Sequence, residues 1–260
     1  MCHADPIMGG AGEDVRPVEQ SSIASGGDSL PVFVSRPDGA GPGPAILLIS
    51  DVFGASPFYQ EMAGRLAHLG YLTIVPDFFF RVGPLAEQTL EAAVARAGKL
   101  TDDLLLQDVN AAIDHLGGRN DVEPKRPGVM GFCMGGTLTM IAAARRGRDI
   151  AGGASFYGFP VNRRPAPGRA LSPIDEVANT SAPLIAFWGD DDTNVGMDNV
   201  DRWVKAMQAQ GKDFSYTIYP NAHHGFMARR SEADVAAAED AWPSMLQFFD
   251  KTLRVGSLAG

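Results

Sequence analysis

The sequence predicts an α/β fold in which a mostly parallel central sheet carries helices on both faces. Short continuous apolar runs, such as AILLIS at 45–50, are typical of strands buried on both faces. These runs alternate with segments whose apolar residues recur at helical spacing, which is the pattern of βα units. The chain has 260 residues, 45% hydrophobic and 20% charged, enough to bury a sizeable core. We therefore predict one domain over residues 30–260, preceded by an irregular N-terminal arm over residues 1–29, with an edge hairpin as the alternative for that arm.

The predicted elements follow one another with short connections. The first strand is LPVFVSRP at 30–37, which ends at the loop DGAGPGP. The later elements are, in chain order, a strand at 45–50, a helix at 56–70 that stops at Gly70, a strand at 71–76, two helices within 85–116, a strand at 127–132, a helix at 134–146, strands at 152–158 and 183–189, a helix at 197–211, a strand at 214–220 and a helix at 232–253. The longest irregular insert, 162–183, is predicted to form a rim over a pocket.

Composition and charge exclude several classes of function. The formal net charge of −9 disfavours nucleic acid or anionic lipid as a partner. No apolar run is long enough to span a bilayer, and the N-terminus lacks the parts of a signal peptide. The two cysteines, Cys2 and Cys133, are too few for a disulfide framework, so we predict reduced thiols and a cytoplasmic monomer or small homo-oligomer. No cluster has metal-ligand spacing and no phosphate or dinucleotide loop is present, so we predict no metal and no cofactor.

Cys133 lies within a G-x-C-x-G pattern at 131–135, in the stretch VMGFCMGG. The pattern follows a predicted strand and opens a predicted helix, as required of a nucleophile elbow with Cys in place of the usual Ser. Glycines are needed at such a turn because side chains would collide across it, and the helix N-terminus favours a thiolate. A buried structural cysteine between packing glycines is the alternative, since the pattern alone is short.

A nucleophile of this kind needs an acid and a base, which follow it in that order in folds with such an elbow. The later predicted strand PLIAFWG runs into three aspartates, of which Asp192 is our candidate for the acid. The other two fit a polar turn or a helix N-cap. The next strand, FSYTIY, runs into His223 and His224. His224 precedes the pair GF and is our preferred base, with His223 as the alternative.

Together, the segments GFCMGG, GDDD and HGF resemble the dienelactone hydrolase family of α/β-hydrolases. The resemblance covers about 30–253 and includes the segments SDVFG and GYLTIVPDFFFR. It implies an α/β-hydrolase fold with a Cys-His-Asp triad, here Cys133, His224 and Asp192.

The resemblance also implies further site residues. An oxyanion hole would be formed by the backbone amides of Val52 and Met134. An acidic side chain after the first buried strand contacts the resting thiol in the family, and it is Glu in the best-known members and Asp51 here. Arginines bind the free carboxylate of dienelactone, and Arg81 matches one such position. A second is expected where this chain has alanine, with Arg229 one residue later.

These residues predict hydrolysis of a lactone or a small activated ester through an acyl-cysteine intermediate, as in a dienelactone hydrolase (carboxymethylenebutenolidase). The partner is then a small-molecule lactone or ester, and Arg81 and Arg229 favour an anionic one. An esterase or lactonase for uncharged substrates is the first alternative, which Asp51 and the segment DFFF favour. The second alternative is a non-enzymatic thiol-sensing or binding protein on the same scaffold, because fold alone does not determine function.

Overall fold

A computed structural model describes residues 15–39, 41–163 and 165–254, which contain one eight-stranded sheet and six α-helices. The strands are β1 (Val18–Ser25), β2 (Asp28–Ser35), β3 (Ala45–Ile49), β4 (Leu72–Pro76), β5 (Gly128–Phe132), β6 (Gly152–Phe156), β7 (Leu184–Gly189) and β8 (Phe214–Tyr219). The helices are α1 (Pro57–His68), α2 (Leu90–Ala97), α3 (Asp102–Gly118), α4 (Met134–Arg145), α5 (Met197–Ala209) and α6 (Glu232–Leu253), and two 3-10 helices span Pro173–Asn179 and Phe226–Ala228. None of the described helices is both long enough and apolar enough to cross a bilayer.

The sheet has the predicted, mostly parallel form. Its strand order is β1-β2-β4-β3-β5-β6-β7-β8. The pairs from β4 to β8 in this order are all parallel, whereas β2 pairs antiparallel with both β1 and β4. Every residue of β3, β4, β5 and β6 is buried, as expected for strands that helices cover on both faces, and their sequences are apolar or small apart from Thr73 and Ser155. The predicted fold class is confirmed.

The prediction of an irregular arm over residues 1–29 is wrong in its later part, because β1 occupies Val18–Ser25. β1 and β2 form the alternative, an edge hairpin, whose turn passes through two glycines with positive φ. Ile23 lies opposite Leu30 and both are buried, whereas most other β1 side chains are exposed. An edge strand needs few apolar residues, so its polar sequence carries no apolar run to detect. Residues 1–14, which include Cys2, lie outside the described residues.

The parallel strands bring four distant segments of the chain to one edge of the sheet. The loops after β3, β5, β7 and β8 carry Val52, Cys133, Asp192 and His224 in turn. Because these strands run parallel, their carboxyl ends meet at the same edge, which is where open α/β sheets build their sites.

Candidate active site

Cys133 lies in the sharp turn between β5 and α4. Its backbone has φ 55° and ψ −114°, which non-glycine residues rarely adopt. A Cβ atom on Gly131 would lie 2.2 Å from the carbonyl oxygen of Gly135, and one on Gly135 would lie 2.2 Å from that of Ile49. Both glycines of the G-x-C-x-G pattern are therefore required by close backbone contacts between the strands and the helix.

The Cys133 side chain is buried at the N-terminus of α4. Its backbone amide donates to the carbonyl of Phe156 at 3.0 Å, and its own carbonyl accepts from the amide of Thr137 at 3.1 Å. These bonds hold the turn in its strained geometry. The unpaired amides and the dipole at a helix N-terminus stabilise negative charge, so this position assists the transfer of a proton from the thiol to a base.

The acid and base candidates are in direct contact. Nδ1 of His224 lies 2.7 Å from Oδ2 of Asp192, a distance typical of a charge-assisted hydrogen bond. Asp192 is 2% exposed, and its Oδ1 accepts from the backbone amides of Asn194 and Val195 at 3.0 and 3.1 Å. A carboxylate accepts the Nδ1 proton of the neutral imidazole, which leaves Nε2 as a proton acceptor. The ring of His224 also packs against that of Tyr157.

Cys133 and His224 line one cavity of about 550 Å³. Val52 and Met134 line it too, so the residues expected to form the oxyanion hole lie at the same site. Its apolar walls include Leu90, Val94, Leu105, Leu138, Phe159 and Leu171, and its polar lining includes Asp102, Asn162, Arg163, Arg169, Thr193 and Asn194. Several of these residues belong to the insert 162–183, and its predicted role as a rim is confirmed.

The model of the dienelactone hydrolase family matches residues 30–253. The chain belongs to this family. A carboxymethylenebutenolidase from Rhodococcus opacus is 31% identical over 242 residues, which are 92% of this chain and 92% of that protein. The solved structure of a “putative dienelactone hydrolase” from Klebsiella pneumoniae has a TM-score of 0.83 at 26% identity, over 90% of this chain and 98% of that one. A dienelactone hydrolase-like promiscuous phosphotriesterase from metagenomic libraries, at 18% identity and a TM-score of 0.75, shares the fold.

Membership of the dienelactone hydrolase family identifies the chain as a hydrolase with an α/β-hydrolase fold. The prediction of a hydrolase is confirmed, and the alternative of a non-enzymatic thiol sensor is overturned. Among the described residues, no group of three or more His, Cys, Asp or Glu side chains is arranged to hold a metal ion.

His223, the histidine that precedes His224 in the loop after β8, has a different environment. His223 is half-exposed, and its ring nitrogens lie 3.1 Å from Asp234 and 3.3 Å from Asp191. It does not line the cavity. Asp190 in turn accepts from the backbone amide of Asn221 at 2.6 Å. Two of the three aspartates therefore stabilise the loops around the site, and Asp192 is the one that contacts His224.

Asp51 lies fully buried in the loop after β3. Its Oδ1 accepts from the backbone amide of Phe53 at 2.8 Å. Arg96 also holds this loop, since its guanidinium donates to the carbonyls of Val52 and Phe53 at 3.2 and 2.9 Å. Burial lowers the pKa of Arg96, while the charges of Asp77 and Asp51 act in the opposite direction. These contacts position the backbone of Val52 at the cavity. The expected contact between the Asp51 carboxylate and the Cys133 thiol stays a prediction.

Neither arginine expected to bind a substrate carboxylate lines the cavity. The guanidinium of Arg81 forms two hydrogen bonds with Asp108, at 2.6 and 3.0 Å, and a third with Asp28 at 2.7 Å. The hydrogen bond to Asp108 raises the pKa of Arg81. Arg229 lies 3.5 Å from Glu239 on the surface. Their role in substrate binding remains a prediction, which this geometry does not support.

Two arginines that sequence reasoning did not select line the cavity instead. Arg163 and Arg169 both belong to the insert 162–183. The signal that could have found them was the combination of a predicted rim with basic residues in the segment NRRPAPGR.

Replacing Arg81 with methionine will lower the free energy of unfolding by about 3 kcal/mol, because the carboxylate of Asp108 is 1% exposed and would lose its counter-charge, keeping only the hydrogen bond from the hydroxyl of Ser25. Urea unfolding measures the change. The double variant Arg81→Met/Asp108→Leu should recover much of the loss, since no buried charge is then left alone. Arg229→Met is the matched control, and its exposed pair predicts a change below about 0.5 kcal/mol. If Arg81→Met kept full stability and raised only the KM for a carboxylated lactone, Arg81 would be a substrate-binding residue.

Proposed function

We propose that the protein hydrolyses lactones or small activated esters, with Cys133 as the nucleophile, His224 as the base and Asp192 as the residue that orients the base. The observation that carries this proposal is the 2.7 Å contact between His224 and Asp192, with His224 lining the same cavity as the elbow cysteine. Family relatives named carboxymethylenebutenolidase and dienelactone hydrolase support the choice of substrate class.

In the first half of the reaction, Cys133 is acylated. His224 accepts the thiol proton at Nε2, and the thiolate attacks the carbonyl carbon of the substrate. The carbonyl oxygen becomes an oxyanion, which the backbone amides of Val52 and Met134 stabilise. When the carbonyl re-forms, the C–O bond to the leaving group breaks and His224 returns its proton to the leaving oxygen. For a lactone, that oxygen stays attached to the acyl chain, so ring opening yields one molecule held as a thioester.

In the second half, water releases the acid. His224 accepts a proton from a water molecule, and the resulting hydroxide adds to the thioester carbonyl in the same oxyanion hole. The C–S bond then breaks, the sulfur recovers its proton from His224, and a carboxylic acid leaves. The ionised Asp192 stabilises the imidazolium formed in both halves. Because the nucleophile must stay a reduced thiol, this mechanism supports the expected cytoplasmic location.

Hydrolysis of uncharged esters or lactones by the same triad is the second candidate. The apolar side chains that line much of the cavity favour it, as does the ion pairing of Arg81 outside the cavity. Comparison of kcat/KM for a carboxylated substrate and its uncharged counterpart distinguishes the two candidates.

Mixing the protein with p-nitrophenyl acetate should produce an acetyl adduct on Cys133 that decays as turnover proceeds. Rapid acid quenching followed by intact-protein mass spectrometry detects the adduct, and peptide mapping locates it. Cys133→Ala is the control and should form no adduct and release no p-nitrophenol above background. Turnover without any adduct at Cys133, or an adduct at another residue on the catalytic time scale, would contradict the proposed nucleophile.

A further inference from the structure

We infer that Arg163 is a specificity-determining residue that binds a carboxylate carried by the substrate. The inference rests on the proposed function, because it assigns a substrate feature to the same cavity. Arg163 lies in the insert between β6 and β7, lines the cavity and is itself exposed, which places it at the cavity entrance.

The first argument is the balance of charge within the cavity. Asp102 and Arg169 both line it and lie 3.5 Å from each other, so their charges offset. Arg169 also donates to the carbonyls of Ala97 and Leu100 at 2.6 and 3.0 Å, which fixes it as a structural link to α2. Arg163 has no such counter-charge: within 15–39, 41–163 and 165–254, no carboxylate forms an ion pair with it. Among the described residues that line the cavity, Arg163 is therefore a positive charge without a carboxylate partner.

The second argument is the way in which the guanidinium is held. Nη1 of Arg163 donates to the carbonyls of Thr193 and Asn194, at 3.4 and 3.2 Å. These residues follow Asp192 directly, and the amide of Asn194 bonds to the Asp192 carboxylate. The arginine is thus anchored through one nitrogen to the loop that carries the acid. Within the described part of the chain, its Nε and Nη2 groups have no acceptor and form a pair of parallel donors, the arrangement that binds a carboxylate in a bidentate manner.

The third argument is the contrast with the rest of the cavity wall. Leu90 and Val94 on α2 are exposed apolar residues that line the cavity, and Leu171 of the insert lines it too. Such walls suit an uncharged hydrocarbon body. We therefore expect the substrate to be an ester or lactone that has an apolar body and a carboxylate separated from the reacting carbonyl, with Arg163 rather than Arg81 recognising that carboxylate.

The test compares two esters with the same leaving group, p-nitrophenyl succinate, which carries a free carboxylate, and its uncharged methyl ester. In Arg163→Gln, the ratio of kcat/KM for the anionic ester to that for the neutral ester should fall about tenfold, because a charge-assisted bidentate contact is lost. Arg202→Gln is the matched control, since it removes the same charge from an exposed position on α5 and should leave the ratio within twofold of wild type. The wild-type ratio should also fall as salt is raised from 0.01 to about 0.5 M, and the salt dependence should weaken in Arg163→Gln.

An unchanged ratio in Arg163→Gln, with both esters still hydrolysed, would overturn the role of Arg163 and leave the proposed function intact. If the wild-type protein hydrolysed neither ester, the proposed function would fail, and a second measurement would still decide on Arg163. Calorimetric titration of p-nitrophenyl succinate into Cys133→Ala and into Cys133→Ala/Arg163→Gln compares binding without turnover. A dissociation constant about tenfold higher in the double variant supports the inference, whereas equal constants or no saturable binding to Cys133→Ala overturns it.

Discussion

Replacing Asp192 with asparagine will lower kcat by about 10³- to 10⁴-fold while the protein stays folded. The amide oxygen can still accept the bonds from Asn194 and Val195, so the amide nitrogen is left facing Nδ1 of His224. An NH₂ group there forces Nδ1 to accept a hydrogen bond, and the ring proton moves to Nε2. The imidazole is then the wrong tautomer to take the proton of Cys133, and it also loses the charge that stabilises its cation.

Steady-state hydrolysis of p-nitrophenyl acetate gives kcat, and a thermal melt verifies that the variant is folded. Asp191→Asn is the matched control, because Asp191 is an exposed neighbour that faces His223 and not His224. Its kcat should stay within about threefold of wild type, since its contact is an exposed one. A fall of less than tenfold in Asp192→Asn would show that His224 does not depend on this carboxylate, and the proposed triad would lose its acid.

Replacing Gly135 with alanine will destabilise the fold by at least about 3 kcal/mol. The added Cβ would lie 2.2 Å from the carbonyl oxygen of Ile49 and 2.7 Å from that of Ser50. Both atoms belong to the backbone at the end of a central strand, which cannot yield as a flexible side chain would. Alanine gains up to about 1 kcal/mol over glycine from its helix propensity, so the backbone clash outweighs this gain.

Urea unfolding compares Gly135→Ala with Gly118→Ala as the matched control. Gly118 is the last residue of α3, it is exposed, and an added Cβ there meets no atom within 4 Å. The control should therefore unfold within about 1 kcal/mol of wild type. If Gly135→Ala is insoluble while Gly118→Ala is soluble, the result also agrees with the prediction. A Gly135→Ala protein as stable as wild type would mean that the contact between α4 and β3 is looser than the structure shows.

Much of the fold follows from the sequence because its main signals are local. A strand buried on both faces must be apolar throughout, and a helix must bury one stripe, so the sequence predicts β3 to β7, α1 and α4 to α6 within a few residues of their bounds. It also predicts the edge strand β8, whereas α2 and α3 are predicted only as two helices within 85–116. β1 was missed because only its inner positions need apolar side chains. Its turn glycines and Ser-rich sequence are also typical of an irregular segment.

Some features of the site can likewise be predicted from local sequence, whereas others depend on contacts between distant segments. The strand–turn–helix context of Cys133, and the order of the aspartate and histidine loops after it, can be read along the chain. The choice between neighbours cannot, because His223 and His224 follow the same strand and differ in which loops their rings face. Only the packing shows that one ring meets Asp192 and the other Asp191 and Asp234.

The arginines show most clearly what tertiary structure adds. The sequence by itself determined the family, the α/β architecture and the positions of the candidate nucleophile, acid and base, because each depends on residue types at short and ordered spacing. It could not determine which arginine faces the cavity. Arg81 meets Asp28 and Asp108, which lie 53 residues before it and 27 residues after it. Arg163, by contrast, hydrogen-bonds only to backbone carbonyls among the residues that the structure describes. A side chain's charge partner is set by which distant segments the fold brings within a few ångströms, and that information is absent from local sequence.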